Sequence, residues 1–263
     1  MSGSNSIEAP NISVAWLKAL NHLLDVGGQS SNLLVTIDDP LQVDLSIHQV
    51  YEQVLSDHNL LDLKQVTYTI FPRSAYQIVG KSADALFYRY NRKGGIYERL
   101  RNRYAAKFRW GSYFRRMTHY PTLDQHGQVV IVNQLKDIID MLRDRAKTYR
   151  AAYTISIQIP GIDRKRTIGG PCLNYVALQL ETPKTLNLLA VYRNHDFIQR
   201  AYGNYLGLGY LAEFLCDQTG YSMGKLTCLS SNANVARPEG VKSWPKGGEL
   251  RQIVEGLNHQ YIR

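Results

Sequence analysis

The sequence predicts an α+β fold in which a mixed sheet is packed with helices. Segments of helical and strand periodicity follow one another without the regular alternation of a doubly wound sheet. The chain contains neither GxGxxG nor GxxxxGKS/T, the motifs of dinucleotide-binding and P-loop sheets. Its 263 residues are 44% hydrophobic, which suffices for a core in one large domain or two small ones.

The first quarter of the chain predicts two helices and two strands. Residues 14–26 carry apolar side chains at helical spacing and stop at Gly27-Gly28. Residues 32–39 (NLLVTIDD) indicate a strand, and residues 47–58 indicate a second helix. Residues 66–72 (VTYTIFP) alternate like a strand that ends at a proline.

The middle of the chain is predicted to be mostly helical. Residues 82–91 and 96–108 both show helical spacing. Residues 129–145 begin as an apolar run and continue with helical period. Residues 151–160 (AAYTISIQIP) alternate β-branched and polar side chains, which predicts a strand.

The last third begins with an antiparallel hairpin. VALQLE and LNLLAVYR are its strands, joined around residues 182–184. Residues 205–220 form the most strongly predicted helix, ending at a glycine. Residues 225–231 indicate another strand, and 237–263 an irregular tail with a short final helix.

The chain is basic, with a formal net charge of +9. Arg and Lys concentrate in residues 89–116 and 143–166, which suits anionic partners from nucleic acid to a single nucleotide phosphate. Many of the 18 tyrosines interleave with the arginines of 88–116, as in proteins that stack nucleic-acid bases. The favoured interpretation of this stretch is a solvated basic helical face with aromatic side chains packed beneath it.

Several classes are excluded by the composition. No apolar run approaches the ~20 residues that span a bilayer. The N-terminus lacks the basic start and apolar stretch of a signal peptide. Three cysteines without a CxxC pair indicate neither a disulfide framework nor a zinc site. We therefore expect a cytoplasmic protein with no membrane contact and no bound metal.

A lone cysteine opens the stretch that carries chemistry. Pro171-Cys172 precedes the hairpin, whose second strand ends in Arg193-x-x-Asp196. Asn204 follows eight residues later, near the start of the strongest helix. Taken singly, the cysteine is typical of a buried thiol, the Arg and Asp of a surface ion pair, and the Asn of a helix cap.

Their order and spacing resemble the thymidylate synthase and pyrimidine nucleotide hydroxymethylase family. There a Pro-Cys nucleophile precedes a hairpin, an Arg-Ser-x-Asp loop, an Asn at the head of a long helix and a Gly-led strand, here at Gly224. The resemblance is good over about residues 170–235 and weaker in VNQLKDIIDML, RWGSYF and YRAAYTISI. It implies a single thymidylate synthase-like domain over 1–263, with a divergent part at 1–65 and a short tail at 236–263. It also implies a homodimer packed sheet to sheet.

The resemblance implies a role for each matching residue. Cys172 would be the nucleophile that adds to C6 of a pyrimidine, with its pKa lowered by nearby guanidinium groups. Arg193 would hold the nucleotide phosphate. In the family, a pair of adjacent arginines reaches the phosphate bound by the partner subunit. Arg150 would be one of this pair, and Ala151 stands in place of the other. Asn204 would read the base, and Asn at this position favours uracil.

The family resemblance also implies a folate. Asp196 would contact the pterin ring of 5,10-methylenetetrahydrofolate, the implied cofactor, by accepting hydrogen bonds.

Several positions depart from the family pattern. Asn194 replaces the loop serine and can still donate a hydrogen bond. Asn234 and Ala236 stand where His-x-Tyr holds the sugar hydroxyl, so sugar recognition must differ. The family's folate-handling glutamate falls on Ala85, next to Asp84, and the usual C-terminal lid is not recognisable.

Three functions remain open at this stage. The first is folate-dependent transfer of a methyl or hydroxymethyl unit to C5 of a pyrimidine nucleoside monophosphate. The second is a nucleotide-binding or regulatory protein that keeps the fold without turnover. The third is a nucleic-acid-binding protein, supported by the charge and the Tyr/Arg pattern alone.

Overall fold

A computed structural model describes residues 5–104, 110–144, 149–163, 170–181, 184–238 and 241–261, with side chains up to residue 257. The strands are β1 Ser6–Asn11, β2 Gln29–Asp39, β3 Tyr120–Leu123, β4 Val129–Val132, β5 Tyr153–Ser156, β6 Leu173–Glu181, β7 Thr185–Tyr192, β8 His195–Asp196 and β9 Ser222–Asn234. The helices are α1 Ile12–Asp25, α2 Leu45–Asp57, α3 Leu63–Ile70, α4 Arg73–Ile78, α5 Ala83–Asn91, α6 Ile96–Arg103, α7 Tyr113–Thr118, α8 Gln134–Arg143, α9 Pro160–Asp163, α10 Ala201–Thr219 and α11 Gly247–Tyr261.

The main sheet is mixed, which confirms the predicted α+β class. In the described chain its order is β1-β2-β9-β7-β6-β5, with the short β8 paired to β9. β1 runs parallel to β2, and β7 parallel to β9, whereas the other neighbouring strands along this order are antiparallel. Strands β3 and β4 form a separate two-stranded ribbon.

Helix α10 is almost entirely buried, and it packs closely against α3 because two glycines of α10 face that helix. A Cβ at Gly203 would lie 2.8 Å from Val66, and one at Gly207 would lie 3.0 Å from Ile70. Gly209 approaches the Pro40 carbonyl still more closely, since a Cβ there would lie 2.0 Å from its oxygen. These glycines fix the position of α10, and with it the residues at its N-terminal end.

The prediction of a strand at 66–72 is wrong, because this segment is helix α3 and the turn after it. Val66 and Ile70 are buried one helical turn apart, on the face that meets α10. The Asp62 side chain caps the helix by accepting from the Lys64 N–H at 2.6 Å. The alternation of apolar residues in VTYTIFP fits both periods over so short a segment, and packing against α10 decides in favour of the helix.

Other boundaries differ in detail. The apolar run at 129–132 is strand β4, and α8 starts after the Asn133 cap. The predicted 96–108 helix is observed as α6, which ends at Arg103, and residues 105–109 lie outside the described part. The final helix α11 is 15 residues long rather than short.

Strand β5 is covered within its own chain. Its buried side chains, Tyr153 and Ile155, lie on the face packed by α7 and α8, whereas Thr154 and Ser156 are exposed. Helices of the same chain therefore cover Tyr153 and Ile155, without a second subunit. In the described ranges, no helix is long and apolar enough to cross a membrane.

The face of the main sheet opposite the helices carries a partly exposed apolar row. Leu34, Leu229, Val191 and Tyr175 lie side by side across β2, β9, β7 and β6, and each is half-buried. Their strand neighbours on the helix side are mostly fully buried. The sheet therefore has one covered face and one face that remains partly open to solvent in the single chain.

Candidate active site around Cys172

Cys172 lies immediately before β6, at the edge of the sheet where β7 ends. Its backbone carbonyl accepts from the Arg193 N–H at 2.9 Å. This hydrogen bond continues the pairing of β6 with β7 and joins the cysteine to the residue after β7. The Tyr113 hydroxyl oxygen accepts from the N–H groups of Cys172 and Leu173, at 3.3 and 3.4 Å. The backbone of the cysteine is thus held on one side by the hairpin and on the other by α7.

Burial has the largest effect on the pKa of the Cys172 thiol. It raises the pKa of Cys172 above its ordinary value, while Arg193 and Arg200 act in the opposite direction and Asp196 adds to the increase. The two guanidinium groups lower this pKa, as the resemblance implies, but desolvation exceeds their effect and the net shift is upward. At neutral pH the side chain is a thiol flanked by two positive charges.

Arg193 is oriented by the backbone next to the cysteine. Its Nε donates to the Pro171 carbonyl at 3.0 Å, and the side chain is half-buried. This bond directs the guanidinium plane along the Pro171-Cys172 turn. Arg193 and Cys172 are therefore neighbours, as the family resemblance implies.

Asn194 and Asn234 also lie together. The Asn194 Oδ1 accepts from Nδ2 of Asn234 at 2.9 Å and from Nδ2 of Asn232 at 2.7 Å. The pairing of β8 with the end of β9 places Asp196 opposite Asn234. The three asparagines form an exposed amide cluster beside Arg193, and here the Asn194 oxygen is an acceptor.

Asp196 shapes the turn into α10. Its Oδ1 accepts from the N–H groups of Ile198 and Gln199, at 2.8 and 3.2 Å. Burial nevertheless raises the pKa of this carboxyl above its ordinary value, although these two backbone bonds lower it. The electrostatic coupling of Asp196 to Cys172 indicates that the carboxyl lies near the thiol.

Asn204 belongs to a buried polar chain. Helix α10 begins at Ala201 with Arg200 at the N-cap, so the alternative that Asn204 caps the helix is wrong. Its Nδ2 lies 3.0 Å from Nε2 of His195, whose Nδ1 lies 2.9 Å from the Ser230 hydroxyl. Asn204, His195 and Ser230 are 5%, 1% and 0% exposed.

The protonation of His195 fixes the direction of these bonds. Burial lowers the pKa of His195 to about 3, so the ring is neutral at physiological pH. An amide nitrogen can only donate, so Nε2 is the acceptor and Nδ1–H donates to Ser230. With its nitrogen bound to His195, Asn204 has its carbonyl oxygen available as an acceptor for a ligand.

An apolar cavity of about 350 Å³ lies beside the cysteine. Tyr113 and Arg200, which both interact with Cys172, belong to its walls. The cavity is lined elsewhere by aromatic and aliphatic side chains that include Tyr68, Leu100 and Trp110. Its size and lining suit a planar ring, and Asp196 is not among the residues that line it.

Some predicted site residues are not brought to this edge. Arg150 is exposed, and its carbonyl accepts from the Leu180 N–H at the far end of β6. Asp84 is exposed in the first turn of α5, within electrostatic range of Lys136, and it does not line the cavity. Within the described chain no acid lines the cavity, so no direct replacement for the family glutamate is found there.

Sequence reasoning missed four residues of this site, Tyr113, Arg200, His195 and Ser230. Two of them had a signal, because Tyr113 lies in the RWGSYF echo and His195 lies inside the Arg-x-x-Asp loop. Burial raises the pKa of Tyr113 to about 12, so its hydroxyl keeps its proton at neutral pH. Because its oxygen accepts two N–H bonds, that proton can be donated elsewhere.

The comparisons with known proteins give a distant relative. No protein-family profile matches the chain. A protein of Methanococcoides burtonii named "Putative thymidylate synthase" is 25% identical over 264 residues, covering 95% of each chain. This similarity supports a thymidylate synthase-like protein, and in that family folate is used. Within the described residues no cluster of His, Cys, Asp and Glu could hold a metal ion.

Proposed function

We propose that the protein transfers a one-carbon unit from a folate to C5 of a uracil nucleoside monophosphate, through a cysteine adduct at C6. The observation that supports this most directly is the convergence at one sheet edge of Cys172, Arg193 and a ring-sized cavity. The similarity to the M. burtonii protein over nearly the whole chain supports the same class of reaction.

Cys172 supplies the nucleophile. Its sulfur loses a proton and forms a bond to C6, which moves an electron pair onto C5 and O4 of the pyrimidine. C5 would then bond the one-carbon unit that the folate supplies, whose carbon–nitrogen bond to the folate would break, and C5 would lose its hydrogen as a proton. Cleavage of the C6–sulfur bond finally returns the thiolate. The product is methylated if hydride reaches the new carbon, and hydroxymethylated if water does.

The base is selected by Asn204. One of its two amide hydrogens is donated to His195, which leaves the second hydrogen and the oxygen for the base. These would pair with O4 and N3–H of uracil, whereas cytosine presents a donor at N4 and an acceptor at N3. The buried position of the amide makes an unmatched pair costly. The substrate is therefore a uracil nucleotide.

Two arginines bind the phosphate. Arg193 is held by the Pro171 carbonyl, and Arg200 lines the cavity at the N-terminus of α10, where the helix dipole also favours an anion. Asn194 and Asn234, joined to each other at the same edge, contact the nucleotide beyond the base. Neither contact distinguishes ribose from deoxyribose.

The cavity suits the bicyclic ring of 5,10-methylenetetrahydrofolate. Trp110 and Tyr68 offer ring faces for that ring. Asp196 would accept hydrogen bonds from it, as the family resemblance implies. The bound folate supplies the one-carbon unit and, for a methyl product, the reducing equivalents. Tyr113 holds the Cys172 backbone in place and keeps its own proton to donate.

The functional unit is a homodimer packed sheet to sheet. The row formed by Leu34, Leu229, Val191 and Tyr175 is a self-complementary surface for an isologous contact. Light scattering should give twice the 29.9 kDa chain mass, and Val191→Glu should give the monomer. A monomer for the native chain at micromolar concentration would contradict the dimer.

The reaction is tested by release of tritium from C5-labelled UMP and dUMP. Exchange requires addition at C6, so it reports on the cysteine whatever the final product is. We expect exchange with the native protein and none with Cys172→Ala, while nucleotide affinity in the variant stays within about threefold. Equal exchange in the variant would exclude the covalent mechanism.

A nucleotide-binding protein without turnover is the second candidate. The raised pKa of Cys172 favours it, because the free protein holds little thiolate. Tight binding of UMP with no tritium release, with and without the folate, would establish this alternative.

A further inference from the structure

A second groove lies on the other side of Leu100 and Tyr104 from the cavity beside Cys172. It measures about 420 Å³ and is formed by helices α3 to α6 and by Tyr104. Arg89 of α5 and Arg99 and Arg103 of α6 line it. Arg99 and Arg103 are four residues apart on one helix and therefore lie side by side on the same face.

The charge of this groove is not neutralised by its walls. None of the described residues that line it is Asp or Glu. Glu98, the acid of α6, has its carboxylate at the Gly94 N–H, 2.7 Å away. Like charges at this spacing destabilise a helix, and a third arginine adds to that effect.

The rest of the groove gives it a shape suited to a small molecule. Tyr68 is half-buried at its base, within electrostatic range of Arg89 and Arg99, and Ile96 and Leu100 supply apolar walls. Helix α6 has no fully buried residue, so contacts made in the groove would add to the stability of the helix. The volume lies within the range of pockets that enclose single small ligands.

We propose that this groove binds the phosphate chain of an oligophosphate, such as a nucleoside triphosphate, at a site that adjoins the cavity at Cys172 and shares Tyr68, Leu100 and Tyr104 with it. Guanidinium groups form paired hydrogen bonds with phosphate oxygens, and three of them offset most of the negative charge of a triphosphate. The size of the groove favours a nucleotide-sized ligand over a long nucleic-acid strand. Binding here does not depend on the reaction at the cysteine.

The test measures binding of UTP and of inorganic triphosphate by calorimetry at low and moderate salt. It uses the full chain carrying Arg193→Gln, which weakens phosphate binding at the Cys172 site. We expect one site per chain, and a loss of roughly tenfold or more in affinity in Arg99→Gln/Arg103→Gln. The matched control is Arg101→Gln, an exposed arginine of the same helix outside the groove. Its affinity should stay within about twofold.

Three outcomes would overturn the proposal. An equal loss in Arg101→Gln would mean a diffuse basic surface, and tighter binding of a single-stranded oligonucleotide than of UTP would mean a nucleic-acid site. Citrate binding as tight as that of triphosphate would mean selection of charge alone. UTP binding much tighter than that of inorganic triphosphate would show a nucleotide site, whereas equal binding would show that the phosphate chain alone is recognised.

Discussion

The neutral state of His195 can be tested through the pH dependence of stability. Burial lowers the pKa of this ring from 6.5 to about 3, because the imidazolium loses its hydration at a site that is 1% exposed. A depressed pKa contributes stability that is present above 6.5 and is lost as the pH falls toward 3. The unfolded chain takes up the proton in that window, and the folded chain does not.

The magnitude follows from the two pKa values. A pH of about 4.5 is two units below the ordinary histidine pKa of 6.5. The ring is therefore protonated in the unfolded chain and still neutral in the folded chain. The free energy of unfolding should therefore be lower than at about pH 8 by about 2.7 kcal/mol from this residue alone. Titrating carboxyl groups add their own dependence, so a variant without the ring is needed to isolate the contribution.

His195→Gln provides that reference. Urea unfolding of both proteins at about pH 8 and pH 4.5 gives two differences in free energy, and the native protein should show the larger one by roughly 2–3 kcal/mol. NMR of the ring should show no titration near its ordinary pKa. Equal differences in the two proteins, or a ring that titrates near 6.5, would refute the burial argument and with it the fixed direction of the Asn204 amide.

Three further predictions concern the thiol, the base and the packing of α10. Alkylation of Cys172 by iodoacetamide, followed by peptide mass spectrometry, should still accelerate above pH 9.0 because burial raises its pKa, and a plateau below about pH 8 would contradict this. Asn204→Asp should shift the ratio of UMP to CMP affinities toward CMP by about tenfold, whereas an unchanged ratio would mean that Asn204 does not contact the base. Gly209→Ala should lower the free energy of unfolding by about 2–4 kcal/mol, since its Cβ would meet the Pro40 carbonyl, whereas Gly256→Ala has open space and should raise it by about 0.5–1 kcal/mol. Similar effects of the two glycine substitutions on urea unfolding would contradict the packing argument.

Local sequence signals predicted the elements that carry the site. The hairpin β6–β7 and the long α10 ending at Gly220 have strong periodicity and clear end signals, and both are observed. The family resemblance implied a common site for Cys172, Arg193 and Asp196, and the antiparallel hairpin β6–β7 returns the chain to the edge where Cys172 lies. Where the signal was short, as in VTYTIFP, the contact with α10 decided the conformation and the prediction failed.

Contacts between distant parts of the chain could not be predicted in this way. Tyr113 reaches the backbone of Cys172 from 59 residues away, and no local pattern specifies that contact. The pKa of the thiol depends on how deeply it is buried, a property of the assembled core that residue types alone do not give. The hydrogen bonds that link Asn204, His195 and Ser230 likewise require α10 and β9 to pack so that both elements reach the His195 ring.

The position of Arg150 bears on the assembly of the site. Cys172 precedes β6, Arg193 follows β7 and Asn234 ends β9, and the register of these strands places all three at one edge of the sheet. Arg150 pairs with Leu180 at the other end of β6, and a nine-residue strand is roughly 30 Å long. Its side chain is too short to return along the strand to the Cys172 of its own chain. If Arg150 contributes charge to a bound phosphate, that phosphate must belong to another subunit, and a two-fold contact through the open face of the sheet is the arrangement that brings opposite edges together.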